Sequence, residues 1–252
     1  MYEFTLKAYT DLIKFLLSKE YTFLRVKDFF DIDGNKEKLI LLKHDVDKKP
    51  INSLNMAVLE NKLGICSTYY FRINKSVYQV ELMKQIESLG HEIGYHYEEL
   101  STSNGDYNKA INLFERNLKI MRNDFSISTI SMHGSPLSKF NNKDIWNVYS
   151  MEKYKVLCIS KNISLFTDFN YVTDSGRCFN SKNYNVRDFN NISLNKLGVK
   201  TIKKFISEEN NLPNRILFNF HPQRWTDNYF EWVSELLMQS SKNQLKRFIK
   251  KL

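Results

Sequence analysis

The chain has 252 residues, 42% of them hydrophobic and 26% charged, with a formal net charge of +9. This is enough for one large core, and no linker, low-complexity tract or solenoid repeat divides it, so a single domain over 1–252 is expected. No run approaches the roughly 18 apolar residues of a membrane span, the first residues lack a secretory pattern, and the cysteines Cys66, Cys158 and Cys178 form no CxxC pair; this argues against a transmembrane segment, a disulfide framework or a zinc knuckle, with cytoplasm as the expected location.

The first expected strand is Leu39 to Lys43, leading into His44-Asp45-Val46-Asp47. Ile51 to Leu63 has helical spacing in Leu54, Val58, Leu59 and Leu63, and Gly64 is placed to end it. Ser67 to Arg72 is a second strand, and Val77 to Leu89 a helix closed by Gly90. Glu92 to Tyr95 leads into His96, and Tyr107 to Arg122 carries Ile111, Phe114, Leu118 and Met121 on one helical face. A strand from Ile127 to Met132 ends at His133. Between Phe140 and Leu212 the signal weakens, with short strands expected at Ser164–Asp168 and Asn170–Asp174. The last strand, Arg215 to Phe220, meets His221, and a helix follows from about Asp227. Such a β-α alternation builds a parallel sheet with right-handed crossovers, closed as a barrel or open as a doubly wound sheet.

Four of the five histidines, His44, His96, His133 and His221, therefore stand where an apolar run ends. Parallel strand ends converge on one face, so the four are expected in one pocket, which suggests a metal-assisted hydrolase. Asp45 and Asp47, two apart on an extended chain, share a side and can address one metal; a divalent cation would relieve their repulsion. His91 lies five residues before His96, on the opposite side, and reads as structural. Glu98 shares the side of His96 if the strand continues, Glu99 if the chain turns helical there.

The positive charge is scattered, so no nucleic-acid partner is expected. Its densest cluster, Lys242 to Lys251, accompanies Leu236, Leu237, Leu245, Phe248 and Ile249, as in a terminal helix that docks on its own domain. The sequons Asn74-Lys75-Ser76 and Asn191-Ile192-Ser193 read as chance matches.

In chain order, Leu41-Leu42-Lys43-His44-Asp45-Val46-Asp47, Gly64-Ile65-Cys66-Ser67-Thr68-Tyr69-Tyr70-Phe71, Gly90-His91-Glu92-Ile93-Gly94-Tyr95-His96, Ser131-Met132-His133-Gly134-Ser135-Pro136 and Phe218-Asn219-Phe220-His221-Pro222 are similar to the motifs of the polysaccharide deacetylase superfamily, the NodB homology domain. The chain most resembles an HDVD-motif branch associated with bacterial surface-polysaccharide loci. The resemblance implies a distorted (β/α) barrel of about seven parallel strands. It further implies hydrolytic removal of an acyl group, N-acetyl foremost, from a sugar or glycan precursor.

Carried over by motif, Asp45 is the catalytic base, Asp47 and His96 are metal ligands, and His221 protonates the leaving group. Asp174 is a weaker match to the acidic residue that orients this histidine. The family's second metal histidine falls on Leu100, which cannot bind a metal, so His133, Glu98 or Glu99 is left to complete the site. The cofactor implied is one divalent transition metal, Zn²⁺ foremost, with Co²⁺ or another first-row ion as alternatives. Tyr69, Tyr97 and Trp225 are candidate sugar-facing rings. Two other functions stay open: a metal-independent amidohydrolase on a small nitrogen compound, and a non-catalytic glycan-binding scaffold. The oligomeric state is not legible.

Overall fold

The computed structural model describes residues 2–29, 37–135, 138–179, 201–207 and 211–249. Pro136, the Asn191 sequon and the side chains of Leu245, Phe248 and Ile249 lie outside the described part. The chain begins with α1 (Leu6–Ser18), β1 (Thr22–Leu24) and α2 (Val26–Phe29). Alternation then follows in β2 (Leu39–Val46), α3 (Pro50–Lys62), β3 (Thr68–Phe71), α4 (Val80–Ser88), β4 (Glu92–Tyr97), α5 (Glu99–Thr102), α6 (Tyr107–Arg122) and β5 (Ile130–Met132). The remaining elements are β6 (Asn170–Thr173), α7 (Ile202–Ser207), β7 (Arg215–Phe220) and α8 (Tyr229–Ile249). No described helix is long and apolar enough to cross a membrane.

The strands pair in parallel in the order β5-β4-β3-β2-β7-β6. β1 runs beside the first half of β2, with Thr22 opposite Leu39, and β3 takes the second half, with Lys43 opposite Thr68. Among the described residues no ladder joins β5 to β6, so the sheet is a half-barrel with helices around it. Helices are needed at each crossover because parallel neighbours cannot be joined by a tight hairpin.

Strand alternation divides the apolar side chains into two cores. Ile40, Leu42, Val46, Tyr69, Phe71, Ile93, Tyr95, Phe218 and Phe220 pack outward with the helices. Leu39, Leu41, Tyr70, Tyr171, Leu217, Phe166 and Phe169 fill the interior. Gly94 is required there, because a Cβ at that position would come within 2.4 Å of the Tyr70 ring. Further along the same inner face, the side chains turn from apolar to polar: Leu39 and Leu41 give way to Lys43, Asp45 and Asp47.

Two expectations are corrected. Ser164–Asp168 is not a strand; Ile163–Phe166 is a 3-10 turn that leaves Ser164 and Leu165 exposed and sends Phe166 into the core beside Phe29 and Phe169. In α3 the fully buried face is Asn52, Ser53, Met56, Ala57 and Glu60, while Leu54, Val58, Leu59 and Leu63 are only half-buried. The reason is Glu60, which the helix presses onto the outer face of the sheet. It accepts hydrogen bonds from Tyr9 (2.5 Å), Ser67 (2.6 Å) and Tyr69 (2.9 Å), and pairs with His44 Nε2 at 2.8 Å.

Burial alone would raise the Glu60 carboxyl, but His44, His91 and the Ser67 hydroxyl bring it down to about 2. A carboxyl lowered in the folded state contributes stability in full above its ordinary value of 4.5 and loses it as pH falls towards 2. Glu60→Ala strands these donors in a dry site and is expected to cost about 3–5 kcal/mol in urea unfolding at neutral pH, with a smaller deficit at acidic pH.

Candidate active site

His44, His96, His133 and His221 do not all meet. His44 is fully buried on the outer face of β2, stacked on Tyr69 with ring centroids 4.3 Å apart. Position 44 is one residue out of step with 43, 45 and 47, which places it across the sheet from them. His91 lies in the same outer layer, with Nε2 3.0 Å from the Ala57 carbonyl and Nδ1 accepting from the Ser67 amide. The other three histidines gather around Asp47 at the carboxyl ends of the strands.

Asp47 Oδ1 lies 3.4 Å from His96 Nε2 and 3.5 Å from His133 Nε2. One ligand atom from each of Asp47, His96 and His133 falls within 4.8 Å of the others. The far nitrogens are engaged: His96 Nδ1 is 3.0 Å from the Ser131 carbonyl oxygen, and His133 Nδ1 is 3.0 Å from Glu98 Oε2. Each partner accepts a hydrogen bond from the Nδ1–H and leaves the Nε2 lone pair for the centre. Among the described residues Asp47 Oδ1 is buried without a hydrogen-bond partner, as an oxygen reserved for a cation would be. Burial would raise Asp47, yet the three histidines hold it well below the usual carboxylate range. The donor set of one carboxylate and two imidazoles fits a first-row divalent metal.

Glu98 does not turn towards the centre. Arg72 grips it with Nε at 3.0 Å and Nη2 at 2.7 Å, and it stands behind His133 as the group that orients the ring. Burial opposes its ionisation, but His133 and Arg72 bring it down to about 2. Glu99 points elsewhere, to the Tyr95 hydroxyl and Asn117 beneath α6. Leu100, at the position of the family's second histidine, is buried in the apolar core. In metal titrations, His133→Ala is expected to weaken affinity at least about tenfold and Glu98→Gln by about tenfold, with Glu99→Gln nearest the parent.

Asp45 is held on both oxygens. Lys43 Nζ reaches Oδ1 at 3.0 Å and Oδ2 at 3.1 Å, Ser131 donates to Oδ1 at 3.0 Å, and Asn219 donates to Oδ2 at 2.9 Å. Burial pushes this carboxyl up, but Lys43, then His96 and His221, outweigh it and the net shift is downward. Strand alternation places Lys43 and Asn219 on the inner face with Asp45, and the two sit opposite each other in the β2–β7 register.

His221 Nδ1 lies 2.6 Å from Asp174 Oδ1, and its amide donates to Oδ2 at 3.0 Å. Arg224 Nη1 and Trp225 Nε1 also donate to Asp174, at 2.6 and 2.8 Å. Burial would raise Asp174; Arg224 and His221 lower it on balance. His221 Nε2 faces the centre, 4.0 Å from Asp47 Oδ2, to which Gln223 donates at 3.2 Å.

The three expected sugar-facing rings do not face a pocket. Tyr69 is buried with its hydroxyl on Glu60, Tyr97 packs against Phe114 and Trp146, and Trp225 is buried beside Phe4, Tyr9 and Phe220. Each ring is needed to fill the outer core or to hold Asp174, and none is exposed to a ligand.

No family model matches the chain, and no curated protein does. Among solved structures it is similar to a Streptococcus mutans CE4 esterase at 13% identity and a TM-score of 0.49, over 92% of this chain and 90% of that one. It is also similar to the Xyl-CE4 domain of a multidomain xylanase from the hindgut metagenome of Trinervitermes trinervoides, at 13% identity and a TM-score of 0.38, over 82% and 84%.

Proposed function

We propose that this chain is a single-domain, metal-dependent carbohydrate deacetylase of the NodB homology type, which removes an acyl group, N-acetyl foremost, from a sugar or glycan precursor in surface-polysaccharide metabolism. The observation that carries this reading is the convergence of Asp47, His96 and His133 on one point, with a buried unsatisfied carboxylate oxygen and His221 at its edge. These three residues would hold one divalent transition metal, Zn²⁺ foremost. When bound, the ion supplies a Lewis acid for the acyl carbonyl and makes water acidic enough to attack near neutral pH.

The chain's own residues do the rest. Asp45, kept ionised by Lys43 and fixed by Ser131 and Asn219, is the acceptor for the attacking water's proton. Its grip prevents rotation, so the acceptor geometry is set before substrate arrives. Asp174 fixes the ring of His221 through Nδ1, leaving Nε2 to give its proton to the departing amine, which would otherwise leave as a poor anionic group. Arg224 and Trp225 hold Asp174 in turn.

The test is acetate release from a panel of N-acetylated mono- and oligosaccharides, before and after removal of metal. Release that falls at least about a hundredfold on chelation and returns with added Zn²⁺ or Co²⁺ is expected. Undiminished release by chelated protein would overturn metal dependence. The absence of release by the metal-loaded protein across the panel would overturn the deacetylase assignment.

A further inference from the structure

The turn after β7 carries a buried acceptor that nothing yet uses. Gln223 lies in the 3-10 turn Pro222–Arg224, is 5% exposed, and donates from Nε2 to Asp47 Oδ2 at 3.2 Å. Its Oε1 is buried and has no hydrogen-bond partner among the described residues. The two ends of this carboxamide cannot be exchanged, because an ionised carboxylate only accepts and would repel a carbonyl oxygen. Keeping an acceptor dry and unpaired costs stability, so one kept that way beside a reaction centre points to a donor on the ligand.

The surroundings of Gln223 decide which donor. His221 Nε2, the proposed proton source for the departing amine, is 4.0 Å from the same Asp47 Oδ2 that the Gln223 amide binds. The acid and the carboxamide therefore stand on one oxygen, and the nitrogen that His221 protonates comes within reach of Gln223 Oε1. The turn holds this arrangement: His221 Nδ1 and Arg224 Nη1 are each 2.6 Å from Asp174 Oδ1, and the Trp225 amide donates to the Pro222 carbonyl at 3.0 Å. Asn219 Oδ1 is likewise buried and unpaired among the described residues, but its amide is anchored on Asp45, the water's side of the proposed reaction.

The leaving nitrogen of an acylamino sugar carries one N–H and, once the acyl carbon is tetrahedral, one lone pair. An acceptor on the N–H turns the lone pair towards His221. In an O-acyl ester the same position is an oxygen without hydrogen, whose lone pairs would face those of Oε1. A buried polar group that the wrong substrate leaves unpaired discriminates more strongly than a difference of shape.

We propose that Gln223 is the residue that makes this site select N-acyl over O-acyl sugars, Oε1 accepting the N–H of the scissile amide while Nε2 holds Asp47. This selectivity rests on the deacetylase reading; the acceptor can also be tested by binding alone.

The experiment compares the methyl glycoside of N-acetylglucosamine with that of glucose O-acetylated at the same carbon, on the full metal-loaded chain. The ratio of their kcat/KM values, amide over ester, is expected to fall at least about tenfold in Gln223→Met, whose fold is checked by circular dichroism. Losses that both substrates share through a loosened Asp47 cancel in that ratio. Gln223→Lys keeps a donor for Asp47 and has no acceptor, so it should show the same fall. An unchanged ratio in Gln223→Met, or a parental ratio in Gln223→Lys, overturns the acceptor and leaves hydrolysis standing. Where the parent hydrolyses neither glycoside, the same pair is titrated into chelated protein by saturation-transfer NMR. A preference for the amide that both variants lose then keeps the acceptor and removes the deacetylase reading, whereas equal binding of the pair, or none, overturns the acceptor as well.

Discussion

Asp47→Ala is expected to remove bound divalent metal, about one ion per chain in the parent, and to lower acyl hydrolysis by about a thousandfold or more. The carboxylate is the one member of the three-residue set that brings negative charge, and its Oδ1 faces both His96 and His133. The fold should survive. Asp47 follows the last residue of β2, is half-buried, and its Oδ2 accepts a hydrogen bond from the Gln223 amide. Metal content by mass spectrometry, acetate release and a thermal melt measure the three parts separately. Full metal retention by a folded Asp47→Ala protein would remove this residue from the ligand set and leave the two histidines to be explained otherwise.

His221→Ala is expected to lower turnover by about a hundredfold or more while metal content stays near the parent's. The ring stands at the edge of the centre, and its Nδ1 is committed to Asp174, so what the variant loses is the proton at Nε2. The bell-shaped pH–rate profile expected of the parent should lose one limb in this variant. Asp45→Asn should lower turnover comparably, but with a cost in stability of about 1–3 kcal/mol, because an amide NH₂ would then face Lys43 or Asn219, both donors. Near-parental turnover by both variants would sink the assignment of acid and base.

Much of the fold was legible because its signals are local. Tyr107–Arg122 has a stripe of apolar residues at helical spacing and a capping Asp106, and it folds over those bounds. The strand ends at Met132 and Phe220 fall where short apolar runs give way to polar turns, whereas β2 and β4 run past the expected Lys43 and Tyr95 to Val46 and Tyr97. α1 has an equally plain stripe in Ala8, Leu12, Ile13 and Leu16, although the expected elements begin only at Leu39. β1, at three residues, is too short to carry a period and exists because half of β2 needs a neighbour.

Part of the candidate site's geometry was legible as well. Sequence by itself determined which side chains share a face, since alternation puts Asp45 with Asp47 and separates His91 from His96 whatever the rest of the chain does. It brought forward Asp45, Asp47, His96, His133, Asp174 and His221, which the structure places around one centre. Tertiary structure alone decided that His44 belongs to Glu60, that Arg72 turns Glu98 into a support for His133, and that Lys43, Ser131 and Asn219 immobilise Asp45. It also buried Tyr69, Tyr97 and Trp225, which no local pattern distinguishes from exposed aromatic rings. The physical reason is range: periodicity fixes the direction of a side chain relative to its own strand, whereas the partner it meets arrives from a distant segment, as Asn219 does from 174 residues beyond Asp45.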